Sequence, residues 1–262
     1  SGTYAGEIQT AYYGEGLDGL LRARNQSLCG IVNGIDYNAY NPETDTTIAK
    51  QYSIKNVKKG KAANKKALQQ ELGLAQDENK FMISIISRLT DQKGLDLVRY
   101  ALDRICDENT QFVVIGTGDP QYENLFREYA WRMPDRVSAN ILFNESFAHR
   151  VYSGSDAVLV PSMFEPCGLT QLIALRYGTV PIVRETGGLK DTVAPYNEYD
   201  GTGIGFSFAN YNGEELLNTI NYAKHIFYDC RKEWDQMVLR GMKTDYSWVN
   251  SARKYEELYN RL

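Results

Sequence analysis

The sequence of 262 residues is 43% hydrophobic and 24% charged, an ordinary composition for a globular protein with one large core or two modest ones. Its formal net charge of −4 gives no basic excess to neutralise phosphates, which argues against a general nucleic-acid partner. No apolar run approaches the roughly 18 residues that a membrane span needs, and no signal-peptide pattern opens the chain, so we expect no membrane partner.

The four cysteines are widely spaced and form no C-x-x-C pair. This spacing favours reduced thiols in a cytoplasmic protein over a disulfide framework or a zinc site. The two histidines, His149 and His225, are too few and too far apart to complete a metal cluster with the cysteines. There is no D-x-D pair either, so the sequence implies no metal and no other cofactor.

The first part of the chain is irregular. Residues 1–27 do not resemble the start of an independent domain. Residues 28–35 form a short apolar run that ends in an Asn-Gly pair, which predicts a strand followed by a tight turn. Residues 46–74 are polar and rich in lysine. The pattern over 62–74 predicts an exposed helix that stops at Gly73 and carries Lys65 on its surface.

From residue 80 onward, buried apolar runs alternate with helical patterns. The predicted strands cover residues 81–86, 111–115, 139–143, 157–160, 179–183 and 203–208, with a polar turn at 185–188. The predicted helices cover residues 95–106, 121–132, 146–153, 169–177, 214–228, 231–242 and 248–262. This alternation predicts an α/β fold with a doubly wound parallel sheet of the Rossmann-like type.

Two cations follow the first strand of the predicted sheet. In such sheets, ligands bind beyond the carboxyl ends of the strands. Arg88 and Lys93 lie five residues apart in the loop after this strand, a spacing that lets one loop bend around a diphosphate. Isolated cations of this kind are most often solvated surface charges. Their place between a buried strand and a helix start favours anion binding instead.

A second polar loop follows the strand at 157–160 and carries Glu165. Gly168, Leu169 and Thr170 come next and open a helix, where free backbone N–H groups and the helix dipole favour an anion. The alternative for Thr170 is a simple helix cap. The carboxylate of Glu165 can accept hydrogen bonds from sugar hydroxyls or balance a developing cation, and the alternative is an acid that only complements the helix dipole.

Two further features carry weaker signals. Gly116 and Gly118 resemble part of a dinucleotide-binding fingerprint, but Gln121 stands in place of the third glycine, so a tight turn is the better interpretation. Cys167 has no partner that suggests nucleophilic catalysis, and we expect a small packed thiol there.

Five segments of the sequence carry a likeness to a known family. They read NGIDYNAYNPETD (33–45), SRLTDQKGLDLV (87–98), GTGDP (116–120), FNESFAHRVYSGSDAVLVPSMFEPCGLTQLIALRYGTVPIVRETGGLKDTV (143–193) and DYSWVNSARKYEELY (245–259). In this order and spacing they resemble bacterial glycogen synthase and plant starch synthase. The resemblance implies a retaining GT-B glycosyltransferase with two Rossmann domains. Such an enzyme transfers glucose from ADP-glucose to the non-reducing 4-hydroxyl of an α-1,4-glucan.

The resemblance also implies that only the C-terminal half of such an enzyme is present, because the family's first domain begins with a KxGGL motif that this sequence lacks. Residues 1–28 then correspond to the tail of the missing N-terminal domain. Residues 29–243 correspond to a C-terminal Rossmann-like nucleotide-sugar-binding domain, and residues 244–262 to a terminal helix that crosses back. We expect this half to bind the nucleotide sugar donor and to be inactive alone. Its other partners would be the α-1,4-glucan acceptor and the N-terminal domain.

The resemblance assigns roles to individual residues. Arg88 and Lys93 are expected to bind the donor diphosphate and Glu165 to contact the transferred glucose, which makes these three the catalytic residues. The residues expected to bind the rest of the nucleotide sugar are Asn33, Gly116, Phe143, Asn144, Cys167, Gly168, Leu169 and Thr170.

Two positions depart from the family pattern. Ile173 stands where related transferases carry a second Glu, so we expect the leaving phosphate to take the acceptor's proton. The Phe143-Asn144 pair replaces the Tyr-His of some bacterial members, which leaves the choice between ADP-glucose and UDP-glucose open. The alternative functions are another nucleotide-sugar enzyme of this fold, such as a sucrose or trehalose-phosphate synthase or a sugar epimerase, and a non-catalytic nucleotide-binding module.

Overall fold

Near-continuous apolar runs form the strands of this protein, because a parallel strand with helices on both faces of its sheet buries both of its sides. The computed structural model describes residues 1–261. Its strands are β1 (Phe81–Ile86), β2 (Thr110–Ile115), β3 (Val137–Asn140), β4 (Ala157–Val160), β5 (Val180–Arg184) and β6 (Phe206–Phe208). They form one sheet in the order β3-β2-β1-β4-β5-β6, and every neighbouring pair is parallel.

Helices cover both faces of this sheet. They are α1 (Gly2–Glu7), α2 (Asp18–Ala23), α3 (Val57–Leu72), α4 (Leu95–Ile105), α5 (Pro120–Arg132), α6 (Glu145–Gly154), α7 (Thr170–Arg176), α8 (Gly187–Thr192), α9 (Gly213–Asp229), α10 (Arg231–Lys243) and α11 (Trp248–Tyr259). Leu95 and Leu102 of α4 belong to one core with Ile83 of β1. Met82, the neighbour of Ile83 in the strand, belongs to a second core that includes Leu68 of α3. Successive strand residues therefore face opposite layers.

The chain reverses its direction of travel across the sheet between β3 and β4. The first three strands add on one side of β1, and β4 then pairs with the other side, where Ile83 lies opposite Ala157. The loops after β1 and β4 therefore leave neighbouring strands in opposite directions. The crevice between such loops is where doubly wound folds bind ligands. The predicted doubly wound, Rossmann-like sheet is confirmed.

The predicted strand over residues 28–35 is wrong, since no residue of that range belongs to the sheet. The segment instead runs beside the residues that precede α11. The Ile35 N–H donates to the Tyr246 carbonyl at 2.8 Å, and Ile35 forms a single bridge with Ser247. Gly34 lies so close to Trp248 that an added Cβ would stand 2.4 Å from the Trp248 nitrogen. This short apolar run therefore pairs with the segment before α11 and extends neither edge of the sheet, β3 or β6.

Other element boundaries differ from their predictions. Strand β3 begins at Val137 rather than at residue 139, because Val137–Asn140 pairs in register with the last four residues of β2. Helix α3 begins at Val57 rather than at residue 62, and the predicted turn at 185–188 runs into α8. The last predicted helix is observed from Trp248 to Tyr259, and Leu262 lies outside the described residues.

Lys65 is not a surface residue as the helical pattern predicted. Its side chain is almost fully buried, and Nζ lies 2.7 Å from Asp156 Oδ2. The same nitrogen donates to the carbonyl oxygens of Glu78 and Lys80. These partners precede β1 and β4, so the sequence around α3 alone gave no sign of them.

The segments at the two ends of the chain pack onto the domain. Helix α1 packs against α8, and the Thr3 hydroxyl donates to Asp191 Oδ1 at 2.5 Å. At the other end, the Ser251 hydroxyl of α11 donates to the Val32 carbonyl at 2.9 Å. The predicted domain boundaries after residues 28 and 243 stay predictions. Within residues 1–261, no helix combines the length and the apolar character that a membrane span requires.

Candidate functional site

Two strand-end loops meet at the point where the sheet reverses. The loop after β1 ends in a short 3-10 helix, Asp91–Lys93, and turns at Gly94, whose φ of +72° is left-handed. A Cβ at position 94 would stand 2.0 Å from the Pro161 carbonyl oxygen, so only glycine lets the two loops touch. This close approach brings Lys93 against the loop after β4.

The two loops hold an ion pair between Lys93 and Glu165. The Lys93 Nζ lies 2.6 Å from Glu165 Oε2, and the Ser162 hydroxyl donates to the same oxygen at 3.1 Å. Glu165 is only 8% exposed, and a carboxylate this buried needs a cation and hydrogen bonds to offset its desolvation. Two of the three residues predicted as catalytic are therefore in direct contact, although 72 residues separate them in the chain.

Backbone hydrogen bonds fix the loop around Glu165. The Met163 N–H donates to the Gln92 carbonyl at 2.9 Å, and the Gln92 side chain donates to the Phe164 carbonyl at 2.6 Å. From the loop after β5, the Gly188 N–H donates to the Glu165 carbonyl at 2.9 Å. Because these bonds come from two other loops, three strand ends together set the position of the carboxylate.

The start of α7 forms a tight turn at Gly168. Its φ is +73°, and an added Cβ would stand 2.5 Å from the Gln171 side-chain oxygen. The Gln171 amide donates to the carbonyls of Cys167 and Gly168, at 3.0 and 2.9 Å, which closes the turn. Thr170 does not cap the helix, since its hydroxyl donates to the Ile86 carbonyl at 3.3 Å and so ties α7 to the end of β1.

Asn33 joins this site from a distant part of the chain. Its N–H donates to the Cys167 sulfur at 3.3 Å. Burial raises the pKa of the Cys167 thiol, while the hydrogen bond from Asn33 opposes that rise. The thiol is therefore a neutral, half-buried group that holds the 33 segment beside the loop of Glu165. Leu169, next to it, is the residue before α7 and is exposed.

The remaining predicted residues make no bond to the ion pair. Arg88 is exposed, and its guanidinium forms no hydrogen bond or ion pair within residues 1–261. Gly116 has a φ of +153°, and an added Cβ would stand 1.8 Å from the Ser87 carbonyl oxygen, so glycine lets the end of β2 approach the loop of Arg88. Phe143 is 92% exposed, and Asn144 caps α6 by accepting the Phe147 N–H at 2.8 Å.

The chain is similar to known proteins in both sequence and structure. Residues 65–235 match the family described as Glycosyl transferases group 1. The chain belongs to this family. Over its whole length it is 63% identical to the glycogen synthase of Lachnospira eligens and 59% identical to that of Lachnoclostridium phytofermentans, and it covers 55% of each. The chain thus spans about half the length of the curated relatives it matches.

A solved structure is similar over the same extent. The catalytic domain of starch synthase IV from Arabidopsis thaliana, bound to ADP and acarbose, matches this chain with a TM-score of 0.93 and 36% identity. The match covers 100% of this chain and 54% of that one. The likeness to glycogen and starch synthases, and to one half of such a protein, is therefore confirmed.

Three residues beside the site were missed by the reasoning from sequence. Ser162 donates to Glu165, and its place directly after a strand was the only available signal. Arg184, at the end of β5, donates to the Met163 carbonyl at 2.6 Å. Glu7 accepts hydrogen bonds from the Gly187 N–H and the Thr186 hydroxyl, both at 3.0 Å, and nothing in the irregular first segment pointed to it.

The described residues also bear on metal binding. Among residues 1–261, no three side chains of His, Cys, Asp or Glu lie close enough together to hold a metal ion. The charged groups gathered at the end of β1 and β4 are instead one cation and one carboxylate, with a second cation in the same loop. The cations of such a set can bind an anion, and its carboxylate can stabilise a developing positive charge.

Proposed function

We propose that this chain is the nucleotide-sugar-binding half of a glucosyltransferase. The reaction is transfer of glucose from ADP-glucose to the non-reducing 4-hydroxyl of an α-1,4-glucan, with retention at the anomeric carbon. The observation that carries the proposal is the Lys93–Glu165 ion pair, 2.6 Å long, at the reversal point of the sheet. Its place is where such folds bind ligands, and the relatives named above are glycogen synthases.

Lys93 and Arg88 act on the donor diphosphate. A diphosphate that reaches the loop competes with Glu165 for the Lys93 ammonium, and the exposed Arg88 guanidinium supplies a bidentate donor beside it. Both cations then stabilise the negative charge that develops on the leaving diphosphate, which is electrostatic catalysis. The leaving phosphate takes the acceptor's proton, since Ile173 stands at the place of a second acid.

Glu165 acts on the glucose. Once Lys93 has turned to the diphosphate, the carboxylate keeps the Ser162 hydroxyl and the backbone bonds that position its loop. It then accepts a hydrogen bond from a sugar hydroxyl or faces the positive charge of an oxocarbenium-like transition state. The ion pair thus holds the carboxylate in place before the donor arrives. No metal or other cofactor enters this scheme.

The other predicted residues surround the donor in this proposal. Cys167, Gly168 and Leu169 connect Glu165 to α7, which begins at Thr170, and these four residues lie beside the sugar and the phosphates. Asn33 is held against Cys167 and completes this wall. At the other end of the donor, the exposed ring of Phe143 offers a stacking surface for the base. Asn144 is engaged as a helix cap, and Gly116 lets the strand ends approach, so neither is free to select the base. ADP-glucose is proposed as the donor, with UDP-glucose as the alternative.

Activity in this proposal needs a second domain to hold the glucan acceptor. The chain alone is then a nucleotide-binding fragment, and glucan extension by the fragment would contradict that part. Helix α1 and the residues after it lie across the loops after β4 and β5, where Tyr13 accepts a hydrogen bond from Arg184 at 3.2 Å. These residues would carry the covalent link from the N-terminal domain. The cytoplasmic location predicted from the cysteine spacing stays a prediction.

Calorimetric titration of the chain with ADP tests the proposal. Lys93→Ala removes a charged partner of the diphosphate and should weaken ADP binding about ten- to a hundredfold. Lys66→Ala is the matched control, because Lys66 is an exposed lysine of α3 and takes no part in the site. Equal affinity of the two variants for ADP would contradict the role of Lys93 and, with it, the proposed site.

A further inference from the structure

The molecule contains a large cavity at the amino ends of the strands, on the opposite side of the sheet from the candidate site. Its volume is about 800 Å³, within the range of small-molecule sites. Asp156 and Gly178, which precede β4 and β5, lie in its wall together with the start of α3 and residues of α9 and α10. The cavity therefore sits at the amino ends of the strands, whereas the Lys93–Glu165 pair sits at their carboxyl ends.

Basic side chains dominate the wall of this cavity, which we call the lysine cavity. The basic lining residues are Lys55, Lys58, Lys59, Lys61, Lys65 and Arg231, and the acidic ones are Glu78, Asp156 and Asp235. Asp156 is paired with Lys65, and Asp235 is shared by Arg231 and Lys58. Within residues 1–261, Lys55, Lys59 and Lys61 have no carboxylate partner. The wall of the cavity thus carries a local excess of positive charge, although the protein has a net charge of −4.

Lys61 is the least exposed of the three lysines without a carboxylate partner. Its ammonium donates to the Tyr152 carbonyl at 3.1 Å and to the Thr179 hydroxyl at 2.5 Å, and both acceptors are uncharged. Burial lowers the pKa of Lys61 to about 7, an effect that the nearby Asp156 opposes and Lys65 reinforces. A buried cation without a counter-ion is costly, and an anion in the cavity would supply the missing charge.

The first turn of α3 adds to the positive electrostatic potential of the cavity. Its N-cap residue, Asn56, does not cap the helix, because its side-chain oxygen accepts the Ser53 N–H at 2.7 Å instead. The first turn contains no acid and carries Lys58 and Lys59, although the dipole favours acids there. The N–H groups of residues 57–59 have no acceptor within the described chain. Residues 57–59 belong to the wall of the cavity, as the lysines do.

We propose that the lysine cavity binds a small phosphate-bearing anion, held by Lys55, Lys59 and Lys61. A phosphate group suits the cavity better than a single carboxylate, because its charge near −2 and its three acceptor oxygens match several cations and free N–H groups at once. Apolar side chains of α10, Val238 and Leu239, line the same cavity and would contact the organic part of the ligand. This proposal is independent of the function proposed above.

Inorganic pyrophosphate is the probe for the test, in calorimetric titrations at constant ionic strength. Because pyrophosphate also resembles a donor diphosphate, every titration uses a chain that carries Arg88→Ala and Lys93→Ala. We expect saturable binding to one site in that background. Adding Lys55→Gln and Lys59→Gln should weaken it at least tenfold. Both lysines are exposed and lack carboxylate partners, so these changes leave the fold intact.

The matched control adds Lys50→Gln and Lys66→Gln to the same background. These two lysines are also exposed, lie in the same part of the chain and do not line the cavity, while the change in net charge is identical. Binding should change less than twofold. An equal loss in the two double variants would mean general charge attraction and would overturn the proposal. Absence of saturable pyrophosphate binding in the Arg88→Ala, Lys93→Ala background would overturn it as well.

Discussion

The two ends of the sheet each contain a lysine–carboxylate ion pair, and the two pairs are almost equally short. Lys65 lies 2.7 Å from Asp156 at the amino ends of the strands, and Lys93 lies 2.6 Å from Glu165 at their carboxyl ends. The side chains of the first pair are 5% and 12% exposed, and those of the second 18% and 11%. Distance and burial alone therefore do not distinguish a structural pair from one that we propose to act on a ligand.

The difference lies in how many other bonds each pair makes. Lys65 also donates to the carbonyls of Glu78 and Lys80, and Asp156 also accepts the Met82 N–H at 2.7 Å. Lys93 has no acceptor for its ammonium other than Glu165 within residues 1–261. A lysine whose three donors are filled is fixed, whereas a lysine with one partner can exchange it for a ligand. The number of acceptors bound by the ammonium group thus distinguishes Lys65 from Lys93.

Removing the lysine from each pair should have different effects on stability. Lys65→Met leaves the buried Asp156 without a cation and two carbonyls without a donor, so we expect a loss of about 3–5 kcal/mol in the free energy of unfolding. Lys93→Met should lose less, about 2 kcal/mol, because Glu165 loses its cation but keeps the Ser162 hydroxyl, and no backbone carbonyl loses a donor. Urea denaturation of both variants measures the difference.

Lys66→Met is the control for the substitution itself. Lys66 is exposed on the same helix as Lys65, and its replacement should change the free energy of unfolding by less than about 0.5 kcal/mol. Similar losses for Lys65→Met and Lys93→Met would show that the two ion pairs are equivalent and would remove the distinction between them.

Lys61 sharpens the comparison, since it is a buried lysine at the amino ends that has no carboxylate partner. Its pKa is lowered by burial from 10.5 to about 7, so the folded state carries the full cost of the charge at pH 6. Between pH 7 and 10.5 the unfolded chain binds this proton and the folded chain does not, so stability rises with pH. Lys61→Met should therefore stabilise the chain more at pH 6 than at pH 9, by about 3 kcal/mol. Asp156 and Lys65, the charged groups beside it, are retained in the variant.

The measurement is the free energy of unfolding of wild type and Lys61→Met at the two pH values. The hydrogen bonds to Tyr152 and Thr179 are lost in the variant at both, so they cancel in the comparison. A difference between the proteins that does not depend on pH would mean that Lys61 keeps its ordinary charge when the protein folds.

Most of the fold was predictable because its signals are local. Apolar runs such as 81–86 and 157–160 have the length and composition of strands buried on both faces, and the helices between them carry their own periodicity. The run at 28–35 has the same local appearance, yet it pairs only with the residues before α11. Nothing within the run shows that its partner is the segment before α11, more than 200 residues away in the sequence, as the bridge between Ile35 and Ser247 places it.

The candidate site was predictable as a set of strand-end residues but not as a set of contacts. Arg88, Lys93 and Glu165 were chosen because the loops after parallel strands share one edge. That Lys93 and Glu165 neutralise each other depends on the approach of Gly94 to Pro161, which is a property of the tertiary structure. Lys65 was misread for the same reason, because its partner Asp156 lies 91 residues away in the sequence.

The ion pair at the carboxyl ends makes a prediction about donor binding that the other pair does not. If ADP must draw Lys93 away from Glu165, then Glu165→Gln removes the competitor and keeps the shape of the side chain. We expect ADP to bind about fivefold more tightly to this variant, which corresponds to about 1 kcal/mol. Calorimetric titration with ADP measures the change.

Asp156→Asn is the matched control, since it neutralises the carboxylate of the other pair and should leave the ADP affinity of the folded protein unchanged. Tighter binding in both variants would mean that any lost negative charge favours ADP. Weaker binding in Glu165→Gln alone would mean that the carboxylate holds Lys93 where the diphosphate needs it. In that case the ion pair would bind the donor as a unit, and the proposal that Lys93 exchanges Glu165 for the diphosphate would be wrong.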